Sequence, residues 1–175
     1  MLRAPPIQQV VGRSPHKKYD DLTYDKLVLL ATSIVGPDAY VEMLRRLAFM
    51  VASGNDDAHT KNWSIIYPDG VAARLSPLYD QVFTARWPRF ALTLALKLDG
   101  AKDFAEVDVG NFRELARRIG GDVRVAETVV HETVARAAAA WATLRDHPAV
   151  TDGYREALRR HWQRVPLLRP HALLI

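Results

Sequence analysis

The sequence predicts a mainly helical α+β domain with a small β-hairpin, on three observations. Apolar residues recur at three- and four-residue steps through most of the chain. Glycines and prolines punctuate those stretches at helix-length intervals. One short β-branched and aromatic run, "WSIIY" at 63–67, is followed by the turn "PDG" and a return segment "VAARL". With 175 residues the chain can bury one real core, and two full domains would crowd it. An apolar fraction of 49% with 25% charged residues excludes a disordered chain.

Taken in order, residues 1–20 are irregular, because Pro5, Pro6, Gly12 and Pro15 interrupt any period. "TYDKLVLLATSIVG" reads as a helix capped by Thr23 and closed by Gly36. "PDAYVEMLRRLAFMVAS" follows with Pro37 near its first turn, an apolar stripe from Tyr40 to Val51, and Gly54 at its end. The short link between them predicts a helical hairpin. After the β-hairpin, "FALTLAL" at 90–96 is a third extended segment, giving one small sheet. From about residue 108 the chain turns helical: "NFRELARRIG", then "DVRVAETVVHETVARAAAAWATLRD" capped by Asp122, then "TDGYREALRRHWQRV". The organisation expected is an irregular segment 1–20, a folded lobe 21–167 and a tail 168–175.

Composition removes several function classes. The absence of cysteine rules out disulfide scaffolds, thiol chemistry and thiolate metal sites. The net charge of +4 is scattered, its tightest clusters being "HKK" at 16–18 and the arginines of "YREALRRHWQR" at 154–164. A nucleic-acid footprint is more concentrated, so no direct nucleic-acid binding is expected. Arg155, Arg159, Arg160 and Arg164 share one helix face, which reads as solvated. Two prolines break the N-terminal "MLRAPPIQQVVG" where a signal peptide needs a continuous apolar core. No run approaches the roughly 20 apolar residues of a membrane span. A cytoplasmic location without membrane contact is expected.

One stretch stands apart. "GNDDAHTKNWSIIY" at 54–67 places carboxylates, an imidazole, an ammonium and amides between a core-facing helix and the hairpin. Asp57 and Asn62 lie on this loop, and the returning strand brings Asp80 of "SPLYD" back toward it. An Asp, an Asn five residues later and a second Asp one hairpin on suit phosphoryl transfer to a hydroxyl. One carboxylate accepts the hydroxyl proton, while the amide oxygen and the second carboxylate hold magnesium against ATP phosphates. Zinc would want more histidines or thiolates than the stretch offers. His16, His131, His147, His161 and His171 have no ligand spacing and read as surface or core residues. Asp56 reads as a capping or loop carboxylate, Tyr79 as a packing residue that fixes the backbone, and Trp63 as core.

The Asp-to-Asn spacing matches the protein-kinase catalytic loop, without its usual His-Arg-Asp or Asp-Phe-Gly sequences. "DAHTKN" at 57–62 and "PLYD" at 77–80 closely resemble the two motifs of the HipA-like bacterial serine/threonine kinases, toxins of toxin–antitoxin pairs. The preceding Asn55-Asp56 is also family-like, as are "KKYDDLTYDKLVLL" and "LARRIG". The resemblance implies a kinase C-terminal lobe with Asp57 as catalytic base and Asn62 and Asp80 as magnesium and nucleotide ligands. His59 and Lys61 are motif residues that orient the loop or touch phosphate. It further implies ATP and Mg²⁺, a protein substrate such as an aminoacyl-tRNA synthetase, and a DNA-binding antitoxin as partner.

A kinase also needs an N-terminal lobe with a phosphate-covering loop, a strand lysine and an adenine hinge. The 53 residues before Gly54 contain no Gly-rich loop and no lysine in a Val-Ala-Ile-Lys-like context. The chain therefore reads as a C-terminal lobe lacking the N-terminal lobe, with a separately encoded N-lobe as one possible partner. The alternative is a truncated, catalytically inactive remnant or regulatory binding module that binds no ATP.

Overall fold

The computed structural model describes residues 22–87 and 93–175. The irregular segment 1–20 lies outside the described residues, as do the first three positions of the extended segment at 90–96.

Helix α1, Tyr24–Val35, starts where Thr23 accepts a hydrogen bond from the Lys26 N–H at 3.3 Å and stops at Gly36. Helix α2, Asp38–Ser53, follows after Gly36 and Pro37 and ends at Gly54, whose φ of 62° is left-handed. The two pack as the predicted hairpin, burying Leu27, Val28 and Ala31 of α1 and Met43, Leu44, Leu47, Ala48 and Val51 of α2. These are the three- and four-residue steps read from the sequence.

The predicted β-hairpin is present but short. Strand β1, Ile65–Ile66, pairs antiparallel with β2, Arg74–Leu75, in the register Ile65 to Leu75 and Ile66 to Arg74. The Ser76 N–H donates to the Ser64 carbonyl at 2.9 Å and carries the pairing one step further. In the turn, Asp69 Oδ1 accepts from the Val71 and Ala72 N–H groups, as Asp does in turns.

The expectation of one small sheet is corrected here. Strand β3, Thr93–Leu98, pairs with β4, Ala101–Asp103, in a second hairpin separate from the first. Its turn residues Asp99 and Gly100 both have positive φ, 46° and 84°, the backbone that a two-residue Asp-Gly loop favours. That signal stood in the sequence as "LDGA". Leu94, Leu96 and Leu98 of β3 are buried, and the hairpin packs on α1.

Three helices complete the lobe. Helix α3, Val109–Arg118, is capped by Asp108, and α4, Val123–Leu144, by Asp122. Helix α5, Asp152–Arg164, is capped by Thr151. α4 packs on both α2 and α3, and the core runs through Phe112, Leu115, Val130, Val134 and Trp141 to Leu158 and Trp162 of α5. The last residues form a 3-10 helix, Arg169–Leu174, against α4 and α5. The arginine face of α5 is engaged internally: Arg155 pairs with Asp152, Arg159 and Arg160 with Glu156, and Arg164 with Asp103. Among the described residues, no helix is long and apolar enough to cross a membrane.

Candidate active site

The polar stretch begins where α2 unwinds. Gly54 takes the left-handed conformation, and a Cβ there would lie 2.8 Å from the Ala85 Cβ, closer than real contacts allow. Only glycine fits both demands. The Asn55 N–H then closes the helix end by donating to the Met50 carbonyl at 3.1 Å.

Asn55 is fully buried and joins two segments. Its Oδ1 accepts from the Asp57 N–H at 3.1 Å, and its Nδ2 donates to the Asp80 carbonyl at 3.3 Å. A second brace comes from Thr84, three residues after Gln81. Its hydroxyl donates to the Gly54 carbonyl at 2.9 Å and accepts from the Asp56 N–H at 2.7 Å. The Ala85 N–H donates to the same Gly54 carbonyl at 3.0 Å. From below, the Ala58 carbonyl accepts from the Tyr24 hydroxyl at 3.1 Å and from Trp63 Nε1 at 3.3 Å. Buried amides and carbonyls of this loop thus find partners inside the protein, which fixes its path.

Residues Thr60–Asn62 form a single 3-10 turn, with His59 Nδ1 accepting from the Lys61 N–H at 3.3 Å. Asn62 points inward and is buried; its Nδ2 donates to the Asp57 carbonyl at 3.2 Å and to Asp80 Oδ2 at 2.9 Å. Asp80 has a φ of 56°, a left-handed backbone that costs a non-glycine residue energy and recurs at functional sites. The Tyr79 hydroxyl donates to the Lys61 carbonyl at 2.6 Å and pairs with Ser64 Oγ at 2.7 Å, fixing the segment before Asp80.

The structure therefore places the sequence-predicted residues as follows. Asn62 links the Asp57 backbone to the Asp80 carboxylate. The Asp57 side chain is 60% exposed, its Oδ1 3.8 Å from His59 Nε2, while the His59 side chain is only 14% exposed. His59 thus stands half-buried beside the candidate base. Lys61 is exposed at the surface. Asp56, next to Asp57, has its carboxyl raised above the ordinary range, first by burial and further by repulsion from Asp57, against the lowering effect of Thr84. Asn55 and Thr84 are the bracing residues whose roles sequence reasoning missed; both act through backbone contacts that spacing does not reveal.

Asn62 and Asp80 offer two hard-oxygen donors, and the Asn62 amide oxygen takes no part in the bonds made by Nδ2. Among the described residues, no group of three or more His, Cys, Asp or Glu could enclose a metal. That donor set fits magnesium, which keeps several waters and leans on substrate phosphates, and does not fit structural zinc.

Such a site on such a fold defines a protein-kinase-like C-terminal lobe. The model of the HipA-like C-terminal domain matches residues 6–141, and the chain belongs to that family. It is 30% identical over 164 residues to "Putative kinase Y4dM" of Sinorhizobium fredii, covering 94% of this chain and 40% of that protein. It is 31% identical over 80 residues to "Putative kinase Y4mE" of the same organism, covering 46% of this chain and 19% of that protein. The fold matches HipA in the Shewanella oneidensis MR-1 toxin–antitoxin complex of HipA, HipB and operator DNA with a TM-score of 0.78. That match has 21% sequence identity and covers 98% of this chain and 43% of HipA. The chain thus spans about two fifths of the length of the first of these relatives and of this solved structure.

Proposed function

We propose that this chain carries the catalytic floor of a HipA-like serine/threonine protein kinase, in which Asp57 is the base and Asn62 with Asp80 holds the metal. The observation that carries the reading is the Asn62–Asp80 hydrogen bond, which joins loop and hairpin beside an exposed Asp57. Asp57 accepts the proton of a protein serine or threonine hydroxyl as its oxygen bonds to the γ-phosphorus of ATP and the bond to ADP breaks. Magnesium, when bound, neutralises charge on the phosphates. Asn55, Thr84 and Tyr79 hold loop and hairpin so that base and metal ligands keep their spacing. His59 Nδ1 accepts from the Lys61 N–H and so helps fix the turn that carries Lys61.

The adenine hinge and phosphate-covering loop belong to an N-terminal lobe in kinases. The activity is therefore proposed for the complete kinase, with this chain supplying residues 21–167 as its C-terminal lobe. A protein antitoxin as regulator, as HipB accompanies the Shewanella HipA, and a cytoplasmic setting belong to the same proposal. The test is a γ-phosphate transfer assay with the chain joined to an ATP-binding lobe from its own genome. Transfer that needs Mg²⁺ and disappears in Asp57→Asn supports the reading. Transfer unchanged in Asp57→Asn overturns it, and absence of Mg²⁺–ATP binding to the joined protein favours the non-enzymatic binding module instead.

A further inference from the structure

The catalytic loop is also held from behind, by a helix that lies beyond the family-matched residues 6–141. His161 Nε2 lies 2.7 Å from the Val51 carbonyl, and Trp162 Nε1 donates to the Ala52 carbonyl at 3.0 Å, both contacts buried. The carbonyls of Val51 and Ala52 belong to the last turn of α2, directly before Gly54, where helix carbonyls lack their full set of intrahelical donors. The Val51 carbonyl also accepts from the Gly54 N–H at 3.2 Å, so His161 fills its second acceptor position. Against a carbonyl, His161 Nε2 must be the protonated nitrogen. Its Nδ1 is buried without a partner, so this bond alone fixes the ring through a polar contact. The His161 and Phe104 rings also pack in a T-shaped arrangement, with centroids 5.1 Å apart.

The same helix grips the other half of the site. The Tyr154 ring packs on Phe83 at 4.8 Å between centroids, and the Arg86 guanidinium lies 5.9 Å above the Tyr154 ring. Phe83 and Arg86 flank Thr84, which ties the Gly54 carbonyl to the Asp56 N–H. A Cβ on Gly54 would touch Ala85, Phe83 and His161 at once, so α5, the loop and the post-Asp80 segment meet at that one point.

We propose that α5, through His161, Trp162 and Tyr154, is the positioning element that holds the Asp57 loop in register with the Asp80 segment. The proposal rests on the kinase reading for its consequence in catalysis, but the mechanical coupling is independent of that reading. None of the three residues reaches the reacting atoms. They act through the two carbonyls and Phe83.

The test is amide hydrogen exchange on the full chain, read by mass spectrometry in peptides from 54–62, 77–86 and, as a reference, 24–35. His161→Leu and Trp162→Phe remove one donor each while keeping an apolar side chain. Each is expected to speed exchange in 54–62 about five- to tenfold, the scale of one lost hydrogen bond, with 24–35 changed by less than about twofold. Tyr154→Leu is expected to act first on 77–86. Should His161→Leu fail to fold, His161→Gln and His161→Asn decide the matter. The glutamine amide nitrogen reaches the place of Nε2 and is expected to keep protection near wild type; the asparagine one stands at Nδ1 and is not. Equal acceleration in all three regions, or no acceleration in 54–62, overturns the proposal. In the joined kinase, Trp162→Phe should lower kcat with KM for ATP unchanged, whereas a kcat equal to wild type would overturn the catalytic consequence alone. If no kinase activity exists at all, the exchange result still stands or falls by itself.

Discussion

Asn62 Nδ2 donates to Asp80 Oδ2 at 2.9 Å, across 18 residues of chain and the whole first hairpin. The amide neutralises part of the demand of a carboxylate held in a left-handed backbone, and it keeps its own oxygen for another partner. Replacing it by a second carboxylate would convert attraction into repulsion at the same distance. Asn62→Asp should therefore lose about 1–3 kcal/mol of stability without metal. Millimolar Mg²⁺ should return much of that loss, and raise the melting temperature more than in wild type. Thermal melts with and without Mg²⁺ check this. Identical melts in both conditions would mean that the pair is no cation site.

Asp57 behaves oppositely. Its side chain is exposed, and the described contact to His59 is a loose 3.8 Å. Asp57→Asn should leave stability within about 0.5 kcal/mol of wild type by urea unfolding, as surface substitutions usually do. The joined kinase should nevertheless lose transfer by at least about a hundredfold. A large stability loss would reassign Asp57 to a structural role.

The pH dependence of folding should carry the signature of His161. Burial lowers its pKa from 6.5 to about 4, with the Val51 carbonyl opposing and Arg164 adding to the fall. The unfolded chain takes up this proton near 6.5 and the folded chain only near 4, so stability is full above the first value and is lost as pH falls toward the second. The loss is on the order of 3 kcal/mol over that window. Asp25 and Asp56, raised chiefly by burial, act with the opposite sign: their contribution is present below the unfolded carboxylate range and lost as pH rises through their folded values. Urea unfolding of wild type and His161→Gln at pH 7 and pH 4.5 separates the two. Wild type should lose more stability on acidification than the variant, and equal losses would refute the assignment.

Gly54→Ala should be costly. The φ of 62° strains any side chain, and the Ala85 Cβ stands 2.8 Å from where the new methyl would sit. A loss of about 2 kcal/mol or more is expected from strain and overlap together. Urea unfolding measures it, and a loss under about 0.5 kcal/mol would show that the loop shifts freely.

The helices were legible because each carries its own evidence in consecutive residues. Thr23 and Asp122 cap where the sequence places them, and apolar periodicity marks the buried faces. The candidate site was legible as a spacing, Asp57 to Asn62 and on to Asp80, because loop and hairpin are local in the chain. Tyr79 and Trp63 likewise take the backbone-fixing and core roles their neighbourhoods suggest. The second hairpin was readable from Asp99-Gly100 and passed over, since its short return strand "AKD" lacks the β-branched run of an obvious strand.

What the sequence by itself determined, then, is the set of helices, the first hairpin and the chemical types gathered at the polar loop. Only the tertiary structure decided which scattered residues hold that loop in place. His161 looked like any other histidine until folding set it 2.7 Å from the Val51 carbonyl, 110 residues earlier in the chain. Thr84 looked like a loop residue until it bridged Gly54 and Asp56. The physical reason is that helix caps, turns and periodic faces are contests between near neighbours, whereas a carbonyl at a helix end has acceptor capacity to spare and takes whichever further donor the packed core brings to it.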